Sequence, residues 1–420
     1  MQKKNQRNHS LRPRGISRRD FLLWAAATAT GLLAGCSATE QPPATPTSKP
    51  VAGPLPTDTP IPTSTPTTTP TITPIDTPTS IPTVTFTSTP TTMPATAPTN
   101  TSTPTLPPPS RAKVAIAQAN SYERNLVRQQ VQAMLDGLGG LDDVISPGDR
   151  VGIKVNLTGE VEWSSLPIPA IESYMTHPEV VRALGELLRD AGAGELVILE
   201  GVYQWERFPS YVEMAKTLDA TLINLNTPDP YPDFAVTPVG EEWFIYEDFL
   251  FNPILEEVDV FVSVAKMKCH WWCGITHSIK NLVGLVPLEL YRLTPDHTYR
   301  SALHGSDDEL KARLPRVIMD LYRARPIHLA LIDGIKTVEA GEGPWIETMA
   351  PVAPGVLFAG KDPVATDAAA TAAMAFDPTA GFPATPFLRA DNHLNLAHAL
   401  GLGTNRLEEI EVVGASIDEV

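Results

Sequence analysis

Long hydrophobic runs are missing from this chain. Its most apolar stretch, residues 21–34, has 14 residues. That is too short for a bilayer-spanning helix, which takes roughly 20. Cysteine is nearly absent: only Cys36, Cys269 and Cys273 occur. An iron–sulfur cluster held by four thiolates cannot be built from these alone, and there is no disulfide framework. Cys269 and Cys273 could pair with each other in an oxidising compartment, although their separation is short and Trp271 and Trp272 lie between them. Basic residues are scarce, with 32 Lys and Arg against 48 Asp and Glu and a net charge of -16. A chain this acidic lacks the clustered cations that hold a nucleic-acid backbone, so nucleic acid is excluded as a partner. The nucleophile elbow G-x-S-x-G is absent, and Gly341-Glu342-Gly343-Pro344 is followed by no Lys-Ser or Lys-Thr pair. Neither a serine hydrolase nor a P-loop is encoded.

What is present begins at the N-terminus. Ser17-Arg18-Arg19-Asp20-Phe21-Leu22-Leu23 resembles the twin-arginine export consensus, and the short apolar run behind it fits a signal h-region. Leu33-Ala34-Gly35-Cys36 then resembles the lipobox of bacterial lipoproteins. The expectation is cleavage before Cys36 and lipidation of its thiol, with two or more acyl chains giving a stable membrane anchor. The leader carries seven basic residues against Asp20 alone, so its removal leaves an even more acidic protein. Residues 41–110 are Thr, Pro and Ser with no periodic apolar face, and half of the 42 prolines precede Arg111. Such a segment cannot form a core and favours extended polyproline II. The expected organisation is a signal peptide at 1–35, a lipid-anchored Thr/Pro-rich disordered linker at 36–110, and a folded domain at 111–420. The twin-arginine translocase is the expected export partner. Its cargo crosses already folded and often carries a cofactor, a weak pointer to one here.

From Arg111 onward, strand and helix patterns alternate. Strands are predicted at 113–119, 150–157, 195–200, 221–225, 258–265, 327–332, 356–359 and 410–413. Helices are predicted at 126–138, 178–191, 307–325 and 363–376. The 258–265 run is almost wholly apolar, as a strand covered on both faces should be. Repeated alternation predicts an α/β fold, a mostly parallel sheet with helices on both faces. In such sheets ligands gather at the carboxyl ends of the strands. Four predicted strands run into charged residues there: Lys154 and Asn156, Lys266-Met267-Lys268-Cys269-His270, Asp333-Gly334, and Gly360-Lys361-Asp362-Pro363.

These pieces, with Thr176-His177-Pro178, Gly192-Ala193-Gly194, Ile279-Lys280-Asn281-Leu282-Val283-Gly284, Arg300, His304, Gly341-Glu342-Gly343-Pro344 and Val364-Ala365-Thr366-Asp367, stand in an order that resembles the domain-of-unknown-function 362 family. The resemblance runs over residues 114–414. It implies no general activity. Some relatives carry an added cysteine-rich ferredoxin module, which this chain lacks, so electron transfer is not implied.

Lys154, Lys266, Lys268 and Lys280, with Asn156 and Asn281, are the expected substrate-binding residues. Several ammonium groups at one sheet end repel unless an anion joins them, so a small carboxylate or phosphate is the expected ligand. His177, His270, Asp333 and Asp367 are the expected acid–base residues. Two imidazoles with Asp333, Asp362 or Asp367 could instead hold a divalent metal. Asp362 before Pro363 also reads as a helix N-cap. Cys269, His270, Cys273 and His277 are spaced irregularly for zinc. Three functions remain open: an enzyme acting on a small anion, a surface-anchored binding protein for one, or an accessory factor for an exported redox enzyme. The expected activity rests on the loops leaving separate parallel strands bringing Lys154, His177, Lys266, Lys268, His270 and Lys280 together around a single cavity.

Overall fold

The computed structural model describes residues 111–158, 169–306 and 309–420. The leader, the lipobox cysteine and the Thr/Pro-rich linker lie outside the described residues. Eight strands form one sheet: β1 (Ala112–Gln118), β2 (Arg150–Lys154), β3 (Glu195–Glu200), β4 (Ala220–Asn224), β5 (Val260–Lys266), β6 (Leu329–Gly334), β7 (Val356–Gly360) and β8 (Ile410–Gly414). Their spatial order is β8-β1-β7-β6-β5-β2-β3-β4. All are mutually parallel except β7, which pairs antiparallel with both β1 and β6. The α/β class and the mostly parallel sheet match the sequence reading, with boundaries shifted by a few residues.

Helices cover both faces. On one lie α1 (Arg124–Gly137), α2 (Pro178–Asp190) and α3 (Pro209–Leu218). On the other lie α4 (Leu310–Ala324), α5 (Pro363–Ala373) and α6 (His393–Ala399). The pleat sends alternate side chains of each strand into different cores. In β1, Val114 and Ile116 join the core under α4 and α5, while Ala115 and Ala117 join the core under α1 and α2. The same alternation explains why β5 is apolar along its length: Phe261 faces one core, and Val260, Val262 and Val264 face the other. Helices α3 and α6 were not foreseen. Neither were three two-stranded hairpins, which pair 235–238 with 248–251, 268–270 with 274–276, and 337–339 with 350–352.

One expectation about the sheet end is corrected. In β7 the first residue, Val356, lies opposite Gln118 and Gly334, the last residues of β1 and β6. Gly360 therefore lies at the amino ends of the parallel strands, and Lys361 and Asp362 follow it away from the other charged residues. Asp362 caps α5 by accepting from the Ala365 N–H at 2.9 Å. It does not join His177 or His270.

Candidate functional site

The four lysines singled out from the sequence are the four buried lysines among the described residues: Lys154, Lys266, Lys268 and Lys280. They do not share one chamber. Register sets Lys154 beside Ser263, on the face that Phe261 presents to α4 and α5, and sets Lys266 beside Asp333, on the face covered by α1 and α2. The expectation of a single cavity uniting all the lysines and histidines is thus corrected: strand alternation separates them into two clusters, with Lys268 beyond the strand ends between them.

The first cluster is closed. The Lys266 ammonium donates to Asp333 Oδ2 at 2.9 Å and to the Tyr122 hydroxyl at 2.9 Å. Asp333 also accepts from the Tyr122 hydroxyl at 3.0 Å, the His177 N–H at 3.0 Å and the Ile335 N–H at 3.1 Å. The His177 ring stacks on Tyr122 with centroids 3.6 Å apart, and its Nδ1 accepts from the Glu179 N–H at 3.2 Å as the N-cap of α2. Burial and the Lys266 and Lys336 charges push His177 down to about 3, so its ring is neutral. Burial also raises the Tyr122 phenol well above its ordinary value, with the Asp333 charge adding to it.

The second cluster is built on Lys154 and Asn281. Lys154 pairs with Glu200 at 2.9 Å and donates to the Val155 carbonyl at 2.7 Å and to Asn281 Oδ1 at 3.2 Å. Asn281 Oδ1 also accepts from Asn156 Nδ2, and its Nδ2 donates to the Lys154 carbonyl and Ser263 Oγ. A Cβ on Gly284 would stand 2.8 Å from both the Lys154 ammonium and Glu200 Oε1. Only glycine lets the 280–285 segment close over that pair. Beneath it, Asp367 accepts from the Ser278 N–H at 2.9 Å, the Ser278 hydroxyl and the Ile279 N–H at 3.1 Å. Burial raises its carboxyl to about 7 against those bonds. Asp367 thus fixes the turn that delivers Lys280 and Asn281.

Lys268 gives its three protons to the Tyr174 carbonyl at 2.7 Å, the Glu342 carbonyl at 3.0 Å and Thr158 Oγ1 at 3.1 Å. Lys280 differs. It is 8% exposed, yet no hydrogen-bond or ion-pair partner for its ammonium lies among the described residues. Burial lowers its pKa; Cys273 and Glu342 oppose that, and the Arg300 charge adds to it. His270 and His304 lie within electrostatic reach of it, and burial holds His270 well below its ordinary value and His304 at about 4. Both rings are neutral, and their partners fix their tautomers. His270 Nδ1 accepts from the Trp272 N–H at 3.2 Å and the Cys273 N–H at 3.3 Å, so its Nε2 carries the proton. His304 Nδ1 lies 3.0 Å from the Arg300 carbonyl, which only accepts, so Nδ1 carries the proton and Nε2 is a bare acceptor. One ring offers a donor and the other a base.

Cys269 and Cys273 are free thiols, so the disulfide does not form. Burial raises both to about 12, which makes them poor thiolates. Among the described residues no three His, Cys, Asp or Glu side chains come together to hold a metal ion. Sequence reasoning missed Tyr122 and Glu200, and it named Arg300, His304 and Glu342 without giving them roles. Glu200 was findable, because it ends a strand neighbouring the one that ends in Lys154. Tyr122 lies in a loop whose sequence carries no signal.

An α/β domain with buried lysines at the carboxyl end of a mostly parallel sheet is the class that fold and site define. The chain belongs to the family described as domain of unknown function (DUF362), whose model matches residues 151–372. It is 25% identical over 288 residues to a thylakoid-associated protein of Synechocystis, covering 67% of this chain and 79% of that one. Two solved structures share part of the backbone. One is the lactate racemase apoprotein of Thermoanaerobacterium thermosaccharolyticum, at 12% identity over 58% of this chain and 54% of that one, with a TM-score of 0.32. The other is a Thermotoga maritima protein, at 11% identity over 56% and 55%, with a TM-score of 0.28. The chain spans about half the length of these two structures.

Proposed function

We propose that this domain is an enzyme that binds a small anion beside Lys280 and moves protons on it through His270 and His304. The observation that carries this reading is the charge balance around Lys280. Lys154 is neutralised by Glu200, and Lys266 by Asp333. Lys268 and Lys280 both lie within electrostatic reach of Glu342, and Glu342 spends its carboxylate on the Trp271 N–H and the Trp345 indole N–H. A buried ammonium without a counter-ion costs several kcal/mol. A carboxylate or phosphate group entering here removes that cost, and the oriented imidazoles stand ready beside it. Calorimetric titration with acetate and with inorganic phosphate tests the reading. Binding should be lost in Lys280→Met and unchanged in a variant of the exposed Lys216. Equal affinity in the Lys280 variant would refute it. Tight binding with no turnover of any anion would leave a surface-anchored capture protein.

The export and anchoring signals complete the proposal. Folded export on the twin-arginine route and a lipid on Cys36 would hold the domain at a membrane through the Thr/Pro-rich linker. One fact supports it: the Synechocystis relative is described as thylakoid-associated. Cys36→Ser should move the protein from the membrane to the soluble fraction. Persistence of that variant at the membrane would refute the lipid anchor.

A further inference from the structure

We infer that the face formed by Trp271, Trp345, Phe382, Leu388, Lys311 and Arg389 docks on the surface of an anionic bilayer. The inference rests on the lipid anchor proposed above and adds a second, non-covalent contact to it. Three loops build this face beyond the carboxyl ends of the strands. Trp271 turns the hairpin of 268–276, Trp345 lies between the paired segments 337–339 and 350–352, and Phe382 and Leu388 stand in the loop from α5 to α6. Contacts join them into one patch. The Glu342 carboxylate accepts from the Trp271 N–H at 2.9 Å and the Trp345 indole N–H at 3.0 Å. The Arg389 guanidinium lies 3.9 Å from the centroid of Trp271 and 5.3 Å from that of Trp272. Phe387, between Leu388 and the core, packs so close to the turn that a Cβ on Gly274 would stand 2.7 Å from its ring. The Lys311 ammonium stands 4.0 Å from the Phe382 centroid, and the Lys311 carbonyl accepts from the Asp391 N–H at 2.9 Å.

Trp345 is 56% exposed, Leu388 49%, and Trp271 and Phe382 38% each. Single exposed apolar side chains are ordinary, but a contiguous group marks a surface that meets protein or lipid. Two features favour lipid. Trp345 spends the one polar group of its side chain on Glu342, so what it shows outward is hydrocarbon. The cations lie over ring faces, and aromatic rings at the acyl boundary with Arg or Lys reaching the phosphates is the arrangement of a membrane interface. Of the neighbouring carboxylates, Glu342 is turned to N–H groups and Asp391 pairs with Arg316 at 2.9 Å. Glu347, two residues past Trp345, is exposed and opposes an anionic surface. The attraction is therefore modest, and here the anchor matters. A lipid on Cys36 would keep a bilayer within reach of the chain that runs to Arg111, and that raised local concentration lets a weak patch engage it.

The test is fluorescence quenching of the lipoprotein reconstituted in vesicles of equimolar phosphatidylcholine and phosphatidylglycerol with brominated acyl chains. Bromine quenches an indole that enters the acyl boundary. The chain has seven tryptophans, so variants assign the signal. Quenching should fall by more than half in Trp271→Phe combined with Trp345→Phe. It should be unchanged in Trp243→Phe, whose ring is 47% exposed between the paired segments 235–238 and 248–251. Arg389→Gln with Lys311→Gln, or vesicles of phosphatidylcholine alone, should weaken the wild-type signal. Should the double phenylalanine variant misfold, each single one takes its place, with a smaller loss. Quenching that survives these substitutions, or none in wild type, overturns the docking and leaves the face to a protein partner. The anchor is read separately. If Cys36→Ser stays at the membrane and its quenching is lost with Trp271 and Trp345, the anchor fails and the docking stands. If Cys36→Ser is released and wild type shows no quenching from this face, the anchor stands and the docking fails.

Discussion

The two lysine clusters share a sheet edge and a depth of burial but differ in how their charges are answered. Around Lys266 the charge is answered within the protein: Asp333 is its counter-ion, and Tyr122 and the His177 backbone N–H join the network. Around Lys280 the bonds stop short, leaving one ammonium and two ring nitrogens without partners among the described residues. Burial alone therefore does not mark a functional lysine. The Lys266 network ties three loops together, those carrying Tyr122, His177 and Ile335. Unanswered charge is costly to fold around and persists where something outside the protein answers it.

The sharpest way to break this contrast is to open the closed cluster. Asp333→Ala strips the counter-ion from Lys266, and both side chains are 0% exposed. Leaving a buried charge unpaired costs about 3–5 kcal/mol, so the urea-unfolding midpoint of the domain should fall steeply. Lys266→Met combined with Asp333→Asn should recover part of the loss, because the stranded ammonium is gone and an acceptor remains for the His177 and Ile335 N–H groups. An Asp333→Ala domain as stable as wild type would show that the cluster is not the structural one.

Most of the fold was legible because strand and helix periodicities are strong here, and strands such as β5 are apolar on both faces. The reversal of β7 was not, since residues 356–360 are as apolar as a parallel strand. Its signal lay in the connection: a parallel crossover usually needs a helix, and between β6 and β7 there is only the 337–339/350–352 hairpin. Lys154, Lys266 and Lys268 were legible because each ends or follows an apolar strand, and Lys280 because it follows Lys266 and Lys268 closely in sequence. Their separation was not, because the face a residue occupies depends on register with a distant strand. Lys154 meets Ser263, and Lys266 meets Asp333, only across the folded sheet.

An intermediate effect should come from the carboxylate under the open cluster. Asp367→Ala leaves the buried Ser278 and Ile279 N–H groups without acceptors. An unmet buried donor costs roughly 1–3 kcal/mol, so stability should fall by less than in Asp333→Ala. The same change frees the turn that presents Lys280, so acetate affinity should fall with it. The wild-type carboxyl stands at about 7, above its unfolded value. The folded state therefore holds this proton more tightly, and the Asp367 contribution to stability weakens as pH rises from the unfolded carboxylate range through about 7. Variant and wild-type midpoints followed across that window should converge in their pH slope if another group dominates it.

The smallest effect on stability, and the most informative, is expected at Lys280. If its ammonium is unanswered in the free protein, Lys280→Met removes a penalty rather than a support. Stability near neutral pH should hold or rise by on the order of 1 kcal/mol, the opposite of the Asp333 result. The pH dependence has a definite sign. The pKa of Lys280 is lower in the folded protein than in the unfolded chain, so between those values the unfolded chain binds more protons and wild-type stability climbs with pH. The methionine variant should lack that share of the climb, so its advantage over wild type shrinks toward the alkaline end of the window. A saturating anion should cancel the advantage at neutral pH by stabilising wild type alone. If Lys280→Met destabilised the domain by several kcal/mol with or without anion, Lys280 would be a second structural lysine, and the contrast between the clusters would collapse.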